Sequence, residues 1–289
     1  MLDFITVVFR DELPLLRIQA ESFNQYISPT DVAQITVVVN DDDSVAGEID
    51  PAWWGQHQAR VVIKPYSNYN YVSRVTGWES QQLLKLLASA ESASEWSMVL
   101  DAKTWFVRGI SVTDIFDAGR PCVGLSGISP YFESSQKFVE NYYIISMPNI
   151  IGLAGVPFIF HTATVKEMIN NIDNFVDFFQ TNLRYPVLIT EFHLYSGFVI
   201  KKYGSIDALY NVDKVRILST NIADWEAQQF DTIFAGIVNN PNLLTASIHR
   251  RSYKILKHTQ LIAWANFLLE RKLICNISNT INLLNTYIK

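Results

Sequence analysis

Cysteine is nearly missing from this sequence of 289 residues, which contains two, Cys122 and Cys275. They lie far apart and lack the short spacings of zinc ligands, so neither a disulfide framework nor a structural zinc site is expected. Basic charge does not dominate either, because acidic residues outnumber basic ones and the net charge is −5 at pH 7. The one local concentration of basic residues is the short segment 249–258. It suits one small anionic ligand, and binding of a nucleic-acid polymer is not expected.

Several catalytic motifs are missing as well. The sequence has no Gly-rich phosphate loop of Walker or Rossmann spacing, no Gly-x-Ser-x-Gly elbow and no His-Glu-x-x-His zinc motif. These absences argue against an ATPase, a dehydrogenase, a serine hydrolase and a zinc protease.

Long apolar runs suited to a membrane are not found either. The uncharged run 144–160 contains two prolines and Asn149, which argue against a membrane helix. The first ten residues carry Asp3 and no cationic leader, and they indicate a first strand rather than a signal peptide. We therefore expect a cytoplasmic protein without a transmembrane segment.

Apolar residues are abundant, at 49% of the chain, so a sizeable folded core is expected. In the first hundred residues, strand patterns alternate with helix patterns. The predicted strands are 4–9, 34–39, 60–64 and 96–100, and the predicted helices are 11–26 and 77–92. This alternation predicts an α/β fold with a mainly parallel, doubly wound sheet. Ligands of such sheets bind beyond the carboxyl ends of the strands.

The C-terminal portion of the chain is less regular and more helical. A strand is predicted at 157–160, and Thr190 is suited to cap a helix running to about 202. Further helices are predicted at 163–183, 224–238 and 260–273. The character of the sequence changes near residue 110, but no linker marks a boundary. We therefore predict one domain, 1–289, made of an N-terminal half, 1–108, and a C-terminal portion, 109–289.

Asp101 follows the fourth predicted strand directly. A strand-end carboxylate can hold a divalent cation, which in turn neutralises a diphosphate. Lys103 occupies the place of the second acid in an Asp-x-Asp motif, and a lysine can itself neutralise phosphate. The plainer alternative is that Asp101 only caps the turn after the strand.

The helix from Gly77 carries an unusual polar face. Trp78, Gln81, Gln82 and Lys85 share one side of it by their spacing. This face is interpreted either as a solvated surface or as the lining of a cleft.

Three further groups have two interpretations each. The acids at 41–43 either contact a nucleoside or are simply solvated. Glu191, at a helix start, is either stabilised by the helix dipole or is a catalytic base. His249 and Arg250 either bind a metal and a diphosphate or form a basic surface turn.

Blocks of this sequence resemble the majastridin-like family of GT-A glycosyltransferases. The helix from Gly77 has the Gly-Trp-x-x-Gln-Gln-x-x-Lys pattern of that family, and 100–103 has its Leu-Asp-Ala-Lys segment. Further matching blocks are 157–161, 190–195 and 247–250. They follow one another in the same order along most of the chain.

The resemblance implies a GT-A-like fold with a mixed central sheet. Residues 1–108 would form the Rossmann-like nucleotide-binding half, and 109–289 the acceptor side with a helical C-terminal end. It also implies a nucleotide-sugar donor, with uridine as the expected nucleoside, and Mn²⁺ or Mg²⁺, although Lys103 leaves metal use open. The implied donor-binding residues are Thr6, Val7, Asn40, Trp78, Gln82 and Lys103. Asp41, after the second strand, and Arg250, in the basic segment, are further donor-binding candidates by their own positions. Asp101 and His249 would bind the metal, and Glu191 and Asp101 would be catalytic.

The sequence therefore predicts a glycosyltransferase that moves a sugar from a nucleotide diphosphate to a hydroxyl of a glycan or small molecule. One alternative is a nucleotide-binding protein of the same fold without transferase activity. A second is a nucleotide-diphosphate hydrolase that uses the acids at 41–43.

Overall fold

The computed structural model describes residues 1–69, 77–152, 156–216 and 218–285. Its strands are β1 (Leu2–Val8), β2 (Val32–Val39), β3 (Val61–Lys64), β4 (Trp96–Asp101), β5 (Thr104–Phe106), β6 (Phe116–Asp117), β7 (Arg120–Pro121), β8 (Leu125–Gly127), β9 (Asn149–Ile151), β10 (Phe158–His161), β11 (Ser219–Ile222) and β12 (Thr245–Ile248). Its α-helices are α1 (Leu13–Tyr26), α2 (Gly77–Ala90), α3 (Val112–Ile115), α4 (Glu133–Tyr143), α5 (Thr162–Asn170), α6 (Phe175–Asn182), α7 (Glu191–Tyr203), α8 (Phe230–Asn239), α9 (His258–Glu270) and α10 (Ile277–Asn285).

A central sheet has the strand order β10-β4-β1-β2-β3. β1 to β4 are parallel, and β10 joins the edge of β4 in the antiparallel direction. β1 is buried along its whole length, as expected for an inner strand of a parallel sheet with both faces covered. This arrangement confirms the α/β class and the mixed central sheet predicted for a GT-A-like fold.

Helix α1 packs its apolar side on the sheet. The ring of Phe23 meets the rings of Phe4 and Phe106 edge to face, with centroids 4.9 and 5.1 Å away. Burying an aromatic side chain of this kind contributes about 1.5–3 kcal/mol to folding. Helix α2 packs against β1 and β4, and also against α5, α6 and α7. It therefore links the parallel sheet to the C-terminal portion of the chain.

A smaller sheet, β11-β12-β5, lies beside the central one. β5 begins three residues after β4 ends, and it pairs with β12 in the antiparallel direction, with Ser247 opposite Thr104. The pairing of β5 with β12 was not predicted from the sequence, because the two strands lie far apart along the chain. It carries the residues after β12 to the end of β4.

Most predicted helices are confirmed, with shifts at their ends. Thr190 caps α7 as predicted, since its side chain accepts a hydrogen bond from the backbone N–H of His193. The prediction of one helix over 163–183 is wrong. The chain forms α5 and α6, interrupted at Asn174, which has a left-handed φ of 49°. Asparagine adopts this conformation more readily than most residues, so it can begin a new helix there.

The other differences are smaller. The predicted helix 224–238 begins as a 3-10 turn, Asp224–Gln229, and becomes α-helical only at Phe230. Helix α4 was not predicted from the sequence. None of the helices in the described residues is both long and apolar enough to cross a membrane.

Candidate functional site

The carboxyl edge of the central sheet brings the first predicted site residues together. β1 and β4 are neighbours in parallel register, with Val7 paired to Asp101. β2 ends on the other side of β1, and Asn40 follows it directly. A doubly wound sheet binds its ligand at this edge, and the structure places Asp101 and Asn40 there. Their contact with a ligand stays a prediction.

Two lysine ammonium groups hold the carboxylate of Asp101. Lys85 Nζ lies 2.8 Å from Oδ1, and Lys103 Nζ lies 2.5 Å from Oδ2. Gln81 adds a weaker contact, with Nε2 3.3 Å from Oδ1. Burial opposes ionisation of Asp101, but Lys103 and Lys85 together outweigh it and hold the pKa of this carboxyl well below its usual range. Asp101 is therefore a fixed anion between two cations.

Lys85 extends this pair to a third charged group. Its Nζ lies 3.5 Å from Glu191 Oε1, and it sits over the ring of Phe192 at 5.6 Å. Burial favours the neutral amine, but the carboxylates of Asp101 and Glu191 outweigh burial and raise the pKa of Lys85. Lys85 is only 4% exposed, so it joins the two acids from inside the protein.

Glu191 is the first residue of α7 and is 3% exposed. Burial raises its pKa, and the nearby Lys85 offsets part of that effect. The predicted catalytic base thus faces Lys85 and the interior. Its position suits it to hold Lys85 in place.

Gln19, on α1, holds the turn between β4 and β5 by hydrogen bonds to its backbone. Its Nε2 donates to the carbonyl oxygens of Asp101 at 2.7 Å and Thr104 at 2.9 Å. Its Oε1 accepts a hydrogen bond from Thr6 Oγ1 at 2.8 Å. Thr6 is buried and Val7 is fully buried. Both predicted donor-binding residues therefore lie beneath the site, and the side chain of Thr6 is directed at Gln19.

Replacing Gln19 by leucine is expected to destabilise the protein by more than about 2 kcal/mol. Three buried polar groups lose their partner in this variant, and each unsatisfied group costs about 1–3 kcal/mol. Urea unfolding followed by circular dichroism measures the change. Gln25→Leu is the matched control on the same helix, because Gln25 is exposed and, in the described part of the chain, its side chain bonds to Glu21 of the same helix. An equal, small loss in both variants would contradict this role of Gln19.

Asn40 connects the end of β2 to the start of α2. Its Nδ2 donates to the Gly77 carbonyl at 2.8 Å, and its Oδ1 accepts from Ser80 Oγ at 2.7 Å. Both ends of the amide are thereby used within the protein. Asn40 holds α2 in position, whereas its predicted contact with a nucleoside stays a prediction.

The three adjacent acids after Asn40 accept hydrogen bonds from backbone N–H groups of their own loop and of the segments after β1 and β3. Asp41 accepts hydrogen bonds from the N–H groups of Arg10 and Asp42. Asp42 accepts one from Ser44, and Asp43 accepts one from the backbone of Ser67. These contacts order the loop beside the site.

The polar face of α2 is divided by the packing. Gln81 and Lys85 converge on Asp101, and whether this face lines a ligand cleft stays a prediction. Gln82 instead turns inward, since it is 3% exposed, and neither of its side-chain polar atoms has a hydrogen-bond partner among the residues that the structure describes. Trp78, at the start of the helix, is 47% exposed. An exposed indole at the rim of a site is suited to stack on a flat ligand.

His249 and Arg250 reach the site through the pairing of β12 with β5. His249 Nδ1 accepts a hydrogen bond from the backbone N–H of Arg251 at 3.3 Å. Arg250 lies 3.9 Å from Asp11, on the 3-10 turn Arg10–Glu12 that follows β1. Arg250 therefore adds a third cation next to the end of β1.

Glu12 is a site residue that the sequence interpretation missed. It ends the turn after β1 and lies two helical turns before Gln19, on the same side of α1. Burial raises its pKa, and the groups that act on it are Lys103, Asp101, Arg250 and Lys85. Within the described residues its carboxylate has no ion pair or hydrogen bond. The one available signal was an acid just before a helix, which is common.

The described residues do not fit a divalent cation at Asp101. Both carboxylate oxygens already contact ammonium groups, and Nδ1 of the predicted second ligand, His249, accepts a backbone hydrogen bond. Among residues 1–69, 77–152, 156–216 and 218–285, no three His, Cys, Asp or Glu side chains form a group that could hold a metal ion.

The sequence matches the model of a family of unknown function, DUF6492, over residues 5–235. Since the match spans most of the chain, the protein belongs to this family. The match does not extend to the majastridin-like family, so that resemblance stays a prediction. The comparison with curated proteins gave no match.

Three solved structures are similar in fold. The apo structure of the bifunctional glycosyltransferase WbbM is 9% identical with a TM-score of 0.47, over 85% of this chain and 45% of that one. The chain thus spans less than half the length of the WbbM structure. The galactosyltransferase LgtC with donor and acceptor sugar analogs is 12% identical, with a TM-score of 0.41 over 86% and 87% of the two chains. An active-site mutant of LgtC is 10% identical, with a TM-score of 0.45 over the same shares. Since all three TM-scores lie below 0.5, we infer function from the residues of the site.

Proposed function

We propose that this member of the DUF6492 family transfers a sugar from a nucleotide-diphosphate donor to an acceptor hydroxyl. The observation that carries the proposal is the charged cluster at the carboxyl edge of the parallel sheet. There Asp101 is fixed by Lys85 and Lys103. Arg250 lies 3.9 Å from Asp11 on the turn after β1, and the pKa of Glu12, on the same turn, responds to the charges of Lys103, Asp101 and Arg250. Cations gathered at this edge suit a diphosphate, and a carboxylate with no partner suits proton transfer.

The donor is expected to lie across the ends of β1 and β4. Trp78, at the rim, is the candidate surface for the base, and uridine is the nucleoside that the majastridin-like resemblance favours. Lys103 and Arg250 face the diphosphate. The acceptor is a hydroxyl of a glycan or a small molecule, as predicted from the sequence.

For an inverting transfer, the acceptor oxygen attacks the anomeric carbon and forms the new glycosidic bond. The bond from that carbon to the phosphate oxygen breaks, and both of its electrons leave with the nucleoside diphosphate. The hydroxyl proton passes to a carboxylate. We assign this proton acceptor to Glu12, because Glu191 is 3% exposed and paired with Lys85. Glu191 is then a positioning residue, which holds Lys85 against Asp101.

The cations of the cluster stabilise the transition state. Negative charge grows on the leaving diphosphate as the bond from the anomeric carbon to the phosphate oxygen breaks. A fixed cation in a site shielded from water stabilises that charge more than water does. Asp101 contributes by holding Lys103 at the mouth of the site. Loss of Asp101 is therefore expected to displace Lys103 and slow the transfer.

The test is release of nucleoside diphosphate from a donor panel of UDP-glucose, UDP-galactose, UDP-N-acetylglucosamine and GDP-mannose, each with a panel of glycan and small-molecule acceptors. We expect turnover with at least one pair and a loss of about a hundredfold or more in Asp101→Ala, the size expected for losing a group that organises the transition-state charge. Asp117→Asn is the matched control. Asp117 also accepts from a lysine, Lys214 at 3.1 Å, but belongs to the β6–β7 hairpin outside the cluster.

Three outcomes contradict the proposal in different ways. Nucleotide binding without turnover on any pair would favour the non-transferring alternative. Loss of donor hydrolysis in Asp41→Ala, with full activity in Asp101→Ala, would favour the hydrolase. Equal activity of Asp101→Ala and Asp117→Asn would remove the cluster from the mechanism.

A further inference from the structure

The two ammonium groups on Asp101 differ in freedom. Lys85 is buried and also pairs with Glu191, so turning its ammonium group out toward a ligand would leave the carboxylate of Glu191 buried and unpaired. A buried charge without a partner is strongly destabilising. Oδ1 of Asp101 therefore stays occupied by Lys85 in the folded protein.

Lys103 is the accessible partner. Its side chain is 16% exposed, against 5% for the side chain of Lys85. An ammonium carries three N–H donors, and among the described residues Asp101 is the single hydrogen-bond partner of Lys103. Two donors remain for a ligand while the ion pair to Asp101 stays in place.

Arg250 supplies a second cation from a separate element. It follows β12, which pairs with β5, and β5 begins one residue after Lys103. Within the described chain its one ion-pair contact is at 3.9 Å, to the exposed Asp11. A guanidinium group can bind two phosphate oxygens at once, and the described residues offer Arg250 no closer ion-pair partner that would compete with a phosphate.

From this arrangement we infer that the protein binds the diphosphate of a nucleoside diphosphate directly through Lys103 and Arg250, without a divalent cation. Asp101 then orients Lys103 instead of ligating a metal. The inference rests on the proposed function for the nature of the ligand, and it goes beyond it in naming how the two negative phosphates are neutralised. Lys103, which stands in place of the second acid of Asp-x-Asp, would thereby neutralise phosphate charge that a metal ion would otherwise neutralise.

The experiment is calorimetric titration of the full chain with UDP, CDP, GDP and ADP, once with EDTA and once with millimolar Mn²⁺. We expect one of the four to bind with the same affinity, within about twofold, in both conditions. Lys103→Gln and Arg250→Gln should each weaken that binding about tenfold or more, as expected for loss of a charge-assisted contact to phosphate. Lys103→Arg keeps the charge and should recover most of the affinity. Lys137→Gln, an exposed lysine outside the cluster, is the matched control.

Electron paramagnetic resonance measures the concentration of free Mn²⁺ in parallel. We expect the mixture of protein and nucleotide to bind no more Mn²⁺ than the nucleotide binds alone. Affinity that rises about tenfold with Mn²⁺ and is lost in EDTA overturns the inference and leaves the proposed function standing. Binding of none of the four nucleotides in either condition overturns both. Metal-free binding with no transfer on any donor and acceptor pair overturns only the proposed function.

Discussion

Replacing Lys85 by methionine is expected to lower the free energy of unfolding at neutral pH by about 3–5 kcal/mol, the usual effect of removing one partner from a buried ion pair. The largest part of the loss comes from Glu191, because its carboxylate is 3% exposed and loses Lys85 as its ion-pair partner. Asp101 keeps Lys103. Methionine fills a similar volume, so the loss reflects the charge and not a cavity. Urea unfolding at several pH values measures it.

Two further variants separate the electrostatic cause from general damage. Adding Glu191→Gln to Lys85→Met should recover a large share of the stability, because no buried unpaired charge remains. Lys137→Met is the control for an exposed pair, since Lys137 and Glu133 are both well exposed, and such pairs contribute about 0–1 kcal/mol. A loss below about 1 kcal/mol in Lys85→Met, or no recovery in the double variant, would contradict the buried Asp101–Lys85–Glu191 cluster.

The pH dependence follows from the directions of the pKa shifts. The pKa of Lys85 is raised above its ordinary 10.5, so its contribution to stability is present below pH 10.5 and is lost as the pH rises through the folded-state pKa. The pKa of Glu191 is raised above its ordinary 4.5, so its protonation stabilises the folded state as the pH falls toward 4.5. The deficit of Lys85→Met should therefore shrink on acidification above pH 4.5. A deficit that grows on acidification in that range would contradict it.

Replacing Glu12 by glutamine is expected to reduce the transfer rate by about 10²–10⁴-fold, the usual contribution of a positioned general base. Glutamine has nearly the same shape but cannot accept the hydroxyl proton. Because Lys103 and Arg250 remain, the affinity for the nucleoside diphosphate should change by no more than about twofold. Steady-state kinetics and calorimetry on the same preparations measure the two effects.

The pH profile adds a second readout for Glu12. Burial raises the pKa of this carboxyl above its ordinary 4.5, so kcat/KM should fall as the pH drops through that raised pKa and the base becomes protonated. Glu12→Gln should lack this limb of the profile. Glu21→Gln, on the same helix, is the control, because the hydrogen bonds that Glu21 accepts among the described residues come from Asn24 and Gln25 of its own helix. Equal losses of affinity and rate in Glu12→Gln would make Glu12 a donor-binding residue instead of the base.

Patterns local in the sequence predicted the frame of the site. The alternation of apolar strands and helices predicted the parallel sheet, and the end of the fourth strand placed Asp101 at its carboxyl edge. The helical spacing of Gln81 and Lys85 predicted that they share a face, and both contact Asp101. Capping chemistry predicted the start of α7 at Thr190. Each of these depends on a repeat of two to four residues, which the sequence displays directly.

By itself, then, the sequence determined the α/β class, the strand-end position of Asp101 and the lysines on either side of it. Only the tertiary structure decided what these groups do. Glu191, 106 positions from Lys85, lies inside the protein as its partner, and Gln82 turns into the interior beside Gln81. Arg250 arrives through the β5–β12 pairing, and Glu12 joins the cluster because α1 packs beside the turn after β4. The reason is physical: burial and long-range strand pairing set which charges meet, and neither is expressed in the spacing of neighbouring residues.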